Sequence, residues 1–353
     1  MPTTPAVPRP RLRRRLLPVI GLLLLSPVCA EYLIGYDANV GRPLVLLGGL
    51  LILGPLYGAV ALLIRETARR TGRGWPTILL LALAFGVVQA GLVDQSLFDP
   101  SYRDIDGWDG MRGPTLVEEI GVSADMGLTF LLGHTVWSFG APIAVVEALA
   151  PRDLARRPWL GWFGTAAVAV LYLAAAYLVF DDHQSTGDFT ASPGQLAGAA
   201  AVAALLVVVA LTLPRRPADG TASGSARRAP SPWIAGGLAF LAAAGTAFLP
   251  PTWPGVAGKL AVLAGLAALL WTWSRREDWS GRHVVLVAGA PLVVYGLLSF
   301  VVEPLGDPVA PLLKYGGNAF FALLVIALVA WGHARCARGE RAERTEPARP
   351  AAV

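Results

Sequence analysis

The chain has 353 residues, 55% of them hydrophobic and 15% charged, with a mean hydropathy of +0.56. An ordinary soluble domain carries roughly 25% charged residues, so this chain has too little polar surface to stay in solution and the bilayer is its natural solvent. The net charge of +5 comes from arginines in short clusters between apolar stretches, a topology signal rather than a nucleic-acid-binding face.

Residues 1–15 form a basic tail, and the first apolar window follows at about 16–36. The arginines, the apolar run and Val28-Cys29-Ala30 also fit a signal peptide cleaved after Ala30. Apolar sequence resumes at Tyr32, which favours an uncleaved first span. Windows two and three lie at about 43–64 and 75–97. Within the second, Gly54-Pro55-Leu56-Tyr57-Gly58 is a small-xxx-small pattern that permits close helix approach. A long acidic loop, 98–123, rich in turn-forming residues, precedes the fourth window at 124–150. That window exceeds the length needed to cross hydrocarbon and is expected to tilt or break near Pro142.

Windows five and six fall at 159–180 and 195–213. Residues 214–232, rich in Pro, Gly, Ser and Arg, read as a flexible linker. It divides a six-span bundle, 16–213, from a four-span bundle, 233–333. The last windows are 233–250, 256–274, 283–303 and 312–333. The first of these is short and ends at Pro250-Pro251, which makes it the least secure. A charged tail, 334–353, is expected to be disordered. The fold class is an all-α polytopic transmembrane bundle of about ten spans.

Orientation follows from basic residues in short loops. With the N-terminus inside, all but Arg42, Arg103, Arg112, Lys259 and Lys314 of the 29 basic residues lie on the cytoplasmic side. Trp75, Trp159, Trp162, Trp233, Trp271, Trp273 and Trp331 fall near the same helix ends, where indole rings favour the headgroup region. Both termini are therefore expected in the cytoplasm and the chain in the plasma membrane. Cys29 and Cys336 then lie at opposite faces and cannot pair.

Polar groups deep in hydrocarbon are costly and are candidates for function. His134 lies about nine residues inside the fourth window, roughly 14 Å at 1.5 Å per residue, with Ser138 one turn further on. Gln89, Asp94 and Gln95 fall in the outward half of the third window, and Glu31 at the outer end of the first. His134, Glu31 and Asp94 are expected to converge on a cavity open to the outside. Against this stands a plain packing role for His134 and simple interfacial placement of the carboxylates. For Asp125 and Glu303 interfacial placement is the preferred reading. Arg65-Glu66 and Glu147 are expected to clamp the inner ends of the second and fourth spans.

The segments Ala30-Glu31-Tyr32-Leu33, Gly54-Pro55-Leu56-Tyr57-Gly58, Leu63-Ile64-Arg65-Glu66, Gly74-Trp75-Pro76, Gln95-Ser96-Leu97-Phe98 and His134-Thr135-Val136-Trp137-Ser138, with Pro142 and Glu147, resemble a family of uncharacterised bacterial multi-span membrane proteins. The resemblance covers residues 30–165 and implies no activity. It also implies a Glu pair in some members where Gln89-Ala90 stand here, so an activity that depends on that pair is not implied for this chain. Glu118-Glu119 with His134 invites comparison with the intramembrane proteases that process prenylated proteins. The comparison fails, because the pair sits in a loop, no Arg follows it at the right spacing, and no second deep His exists.

No Walker loop, HExxH, GxSxG or CxxC occurs. No cofactor, metal or nucleic-acid partner is expected. A small-solute transporter or permease with a site in the outer half of the membrane is one reading. A non-catalytic sensor, scaffold or assembly component is the first alternative, and a membrane-embedded metal-dependent enzyme the second.

Overall fold

The computed structural model describes residues 12–187, 189–215, 228–306 and 308–345. Among them nine helices are long and apolar enough to cross a membrane: α1 Arg14–Tyr32, α2 Pro43–Arg70, α3 Trp75–Val93, α4 Ala124–Leu149, α5 Trp162–Thr186, α6 Pro193–Thr212, then α8 Trp253–Trp273, α9 Gly281–Leu298 and α10 Pro311–Glu343. Between α6 and α8 lies α7, Pro232–Phe248, apolar but only 17 residues. The weakest of the expected spans is thus a real helix, about 25 Å long at 1.5 Å per residue.

The helix starts follow from local chemistry. Proline occupies the first turn of α2, α3, α6, α7 and α8, where its missing N–H is no loss. Ser192, Ser231 and Thr252 cap the last three of these through their hydroxyls, satisfying donors the helix leaves free.

α4 is the hub: it packs against α1, α2, α3, α8, α9 and α10. α7 and α10 flank α9, and α6 lies along α3. By contrast, only 17% of the apolar window of α6 or of α8 is buried. Leu44, Leu51, Phe163, Leu173, Leu205, Phe320 and Leu323 stand exposed on the outside of the bundle. An apolar surface this extensive is matched to lipid rather than to water.

The 98–123 loop is a folded cap. A two-strand hairpin, β1 Leu116–Val117 with β2 Val122–Ser123, pairs Leu116 with Ser123. The buried Trp108 donates its indole N–H to the Asp99 carbonyl at 3.0 Å and packs on Phe130 of α4. The tail expected to be disordered from residue 334 instead continues the last helix to Thr345. Contacts with the rest of the bundle hold it: Glu340 lies 3.7 Å from Arg282, and Arg335 reaches the Ala150 carbonyl at 3.4 Å. The basic tail expected over 1–15 lies outside the described residues up to 11, as does the expected flexible linker over 216–227 and the tail over 346–353.

Candidate functional site

Four of the first spans are interrupted by a π-helical turn: Val28–Tyr32 in α1, Gly54–Gly58 in α2, Gln89–Val93 in α3 and Gly133–Gly140 in α4. Such turns insert an extra residue per turn and occur often at functional sites. Proline adjoins three of them. Pro27 precedes the first, Pro55 lies inside the second and Pro142 follows the fourth, each removing a backbone donor. Pro142 leaves the Ser138 carbonyl without its helical partner, and the Ser26 hydroxyl of α1 donates to that oxygen. Pro27 likewise has no N–H for the Leu23 carbonyl, and Gly58 of α2 lies directly against it.

The four turns carry the polar side chains. Glu31, on the first, accepts hydrogen bonds from the hydroxyls of Tyr36 and of Tyr57, the latter on the second turn. The Tyr57 ring stacks on His134 of the fourth turn, centroids 5.9 Å apart, and Phe139 flanks the imidazole at 6.2 Å. His134 Nδ1 lies 3.3 Å from the Ser138 hydroxyl. Gln89, on the third turn, donates to the Asp94 carboxylate at 3.4 Å. Gly86 of α3 gives the close approach: a Cβ there would lie 3.2 Å from the His134 Cβ.

The loops complete the group. Burial opposes the charge of Arg103, but the facing Tyr102, Glu31, Tyr36 and Asp94 outweigh it and hold the guanidinium above its ordinary pKa. Tyr36 is pushed well up by burial, then by the Glu31 charge and hydrogen bond. Tyr102 is pushed up by burial and the Asp94 charge. Both phenols therefore stay protonated throughout the neutral range. Arg103 and Asp104 have φ of 54° and 49°, a left-handed region that costs a non-glycine residue energy and concentrates at functional sites.

Glu31, Asp94 and His134, with Gln89 and Ser138, are thus brought into one neighbourhood. Each of the three ionisable groups is half-buried rather than sealed. Gln95 is not part of it. Held at φ 53°, it turns away and accepts from the Ala191 N–H ahead of α6 at 2.7 Å. The sequence reading missed Tyr36, Tyr57, Tyr102 and Arg103. Tyr57 is hidden by the extra residue of its π-turn, and Arg103 by an irregular loop.

At the other end of the bundle, Arg65 is fully buried and lies 3.0 Å from Glu66 and 2.9 Å from Glu147. It also donates to the Ala155 and Arg157 carbonyls and covers the Trp159 ring at 3.3 Å. Arg69 grips Glu147 with two bonds, at 2.7 and 2.5 Å. Glu66 accepts from the Trp159 N–H at 2.7 Å. Asp125, expected merely to reach the interface, is instead buried and paired with Lys259 of α8 at 2.5 Å. Glu303 is exposed and pairs with Lys314 at 2.7 Å.

Among the described residues, no three His, Cys, Asp or Glu side chains are disposed to hold a metal ion. A bundle of apolar helices with a lipid-matched exterior and a polar group among its first four spans is a multi-pass integral membrane protein. More particularly, a model described as an uncharacterised membrane protein family matches residues 21–339, and the chain belongs to that family. The match runs through the last four helices, well past the segments that carry the sequence resemblance. No curated protein and no solved structure matches it.

Proposed function

We propose that the protein is a proton-linked transporter of a small polar solute, with Glu31, Asp94 and His134 as its exchanging groups. The observation that carries this reading is that four consecutive spans each break into a π-turn at one place and each contributes a polar side chain there. Broken helices around a polar site are how transporters bind solute within the bilayer. Ionisable residues held off the lipid form the relays that move protons. Gln89 and Ser138 set the orientation of Asp94 and His134. Tyr36 and Tyr57 hold Glu31, and Arg103 guards the mouth.

The arginine-rich ends of the helices face the cytoplasm in this reading, and the 98–123 cap faces outward in the plasma membrane. The metal-dependent enzyme lacks a donor set among the described residues. The scaffold reading leaves the four π-turns and their shared polar cluster unused.

The test is a panel of small polar solutes presented to sealed proteoliposomes loaded with a pH-sensitive dye. At least one solute is expected to move protons with it, and His134→Ala and Glu31→Gln are expected to abolish that flux while the protein stays folded. Flux equal in empty vesicles, or unchanged in both variants, overturns the proposal.

A further inference from the structure

The arginine-rich end holds an open cavity of about 1500 Å³, walled by ends of α2, α3, α4, α6, α8, α9 and α10. Eight arginines and five carboxylates line it. Three of those carboxylates are already taken: Glu147 by Arg65 and Arg69, Asp153 by Arg14, and Glu340 by Arg282. Of the eight arginines only Arg69 has a carboxylate within ion-pair distance among the described residues. The other seven, among them Arg152, Arg156, Arg157, Arg275 and Arg335, share that space with only two further carboxylates, Glu277 and Glu343, neither within ion-pair distance of them among the described residues. Like charges gathered at one site repel, and an anion bound among them removes that cost.

The chemistry selects the anion. Arginine's planar fork matches phosphate oxygens in pairs. The cavity lies at helix ends, level with aromatic side chains: Trp75, Trp271 and Trp279 line it, and Arg275 sits 4.2 Å over the Trp271 ring. Tryptophan belts mark the headgroup layer, and basic pockets between spans at that level hold acidic headgroups. We propose that this cavity binds a phosphate-bearing anion, supplied by the headgroup of an acidic phospholipid. The π-turn cluster lies at the middle of α2 and α4 and contributes no residue to this cavity, so the site stands whether or not the transport reading does.

The experiment uses the purified full-length protein in neutral detergent, with native mass spectrometry to count and rank bound ligand. Short-chain phosphatidylglycerol is compared with phosphatidylcholine of the same chains, and inorganic phosphate is titrated as a competitor. Phosphatidylglycerol is expected to bind tighter, at low stoichiometry. The combined Arg156→Gln, Arg157→Gln and Arg275→Gln variant is expected to weaken it by about 100-fold, at a factor of about five for each charge near the surface. The matching Arg→Lys variant keeps the charges but loses the planar fork, so it should bind between wild type and the glutamine variant, and Arg42→Gln, on the cap side, should leave lipid binding unchanged. Displacement by millimolar inorganic phosphate, with no preference for the acidic lipid, would assign the site to a soluble phosphate instead. Equal binding of the two lipids with no effect of phosphate, or a glutamine variant that binds like wild type, overturns the proposal.

Discussion

At the scale of single residues, Arg65 makes the sharpest claim. Removing one member of a buried ion pair strands its partners, at about 3–5 kcal/mol. Arg65→Met leaves Glu147 with Arg69 alone and Glu66 with Arg70 at 3.3 Å, and opens three backbone carbonyls. A loss of that size is expected in detergent unfolding, and a loss below about 1 kcal/mol would count against the clamp. Lys259→Met should likewise destabilise by leaving Asp125 buried and charged, and Asp125→Asn added to it should restore most of the loss. The phenols give a pH signature. Tyr36 and Tyr102 have raised values in the folded chain, so their stabilisation is complete below the ordinary tyrosine value of about pH 10 and is lost as pH rises from there. Tyr36→Phe and Tyr102→Phe should flatten the alkaline end of the stability profile. Glu31, Asp94, His134 and the Arg65 group were legible in the sequence because ionisable residues in apolar windows are rare. Lys259 gave the same signal, as one of only two lysines, but its partner came from a helix 134 residues away.

At the scale of elements, the spans were legible and the π-turns were not. Helix existence depends on apolar length and proline-capped starts, which a sequence displays directly. A π-turn shifts every later side chain by a fraction of a turn, so a regular 3.6-residue period misplaces Tyr57 relative to Glu31. The segment 334–345 is helical rather than disordered for a related reason. Its charge pattern resembles disorder, but Arg282 and the Ala150 carbonyl give it partners from distant segments. Gly58 tests the element packing. A Cβ there would lie 2.5 Å from the Leu23 Cα, so Gly58→Ala must push α1 from α2 and separate Tyr57 from Glu31. A lowered melting temperature is expected. Gly48→Ala, with open space around it in the same helix, serves as the control and should leave the melting temperature unchanged or slightly raised. Equal melting of the two variants would show that the close approach carries no weight.

At the scale of the whole molecule, the first four spans and the folded cap form a polar site near one end, while α9 and α10 brace α4 from behind. The coupling is physical: Trp137, on the same π-turn as His134, donates to the Pro291 carbonyl of α9 at 3.0 Å and stacks on Tyr295 at 4.0 Å. Any rearrangement of that turn must therefore move against α9. Transport through this site requires that water reach Glu31, Asp94 and His134 together from the side of the cap. Single cysteines at positions 94 and 134, in a chain with Cys29 and Cys336 replaced by alanine, can be exposed to a membrane-impermeant thiol reagent in oriented vesicles. Asp94→Cys and His134→Cys are predicted to react from the cap side far faster than Leu171→Cys on the lipid-facing surface of α5. Labelling of position 134 no faster than position 171 would contradict the account.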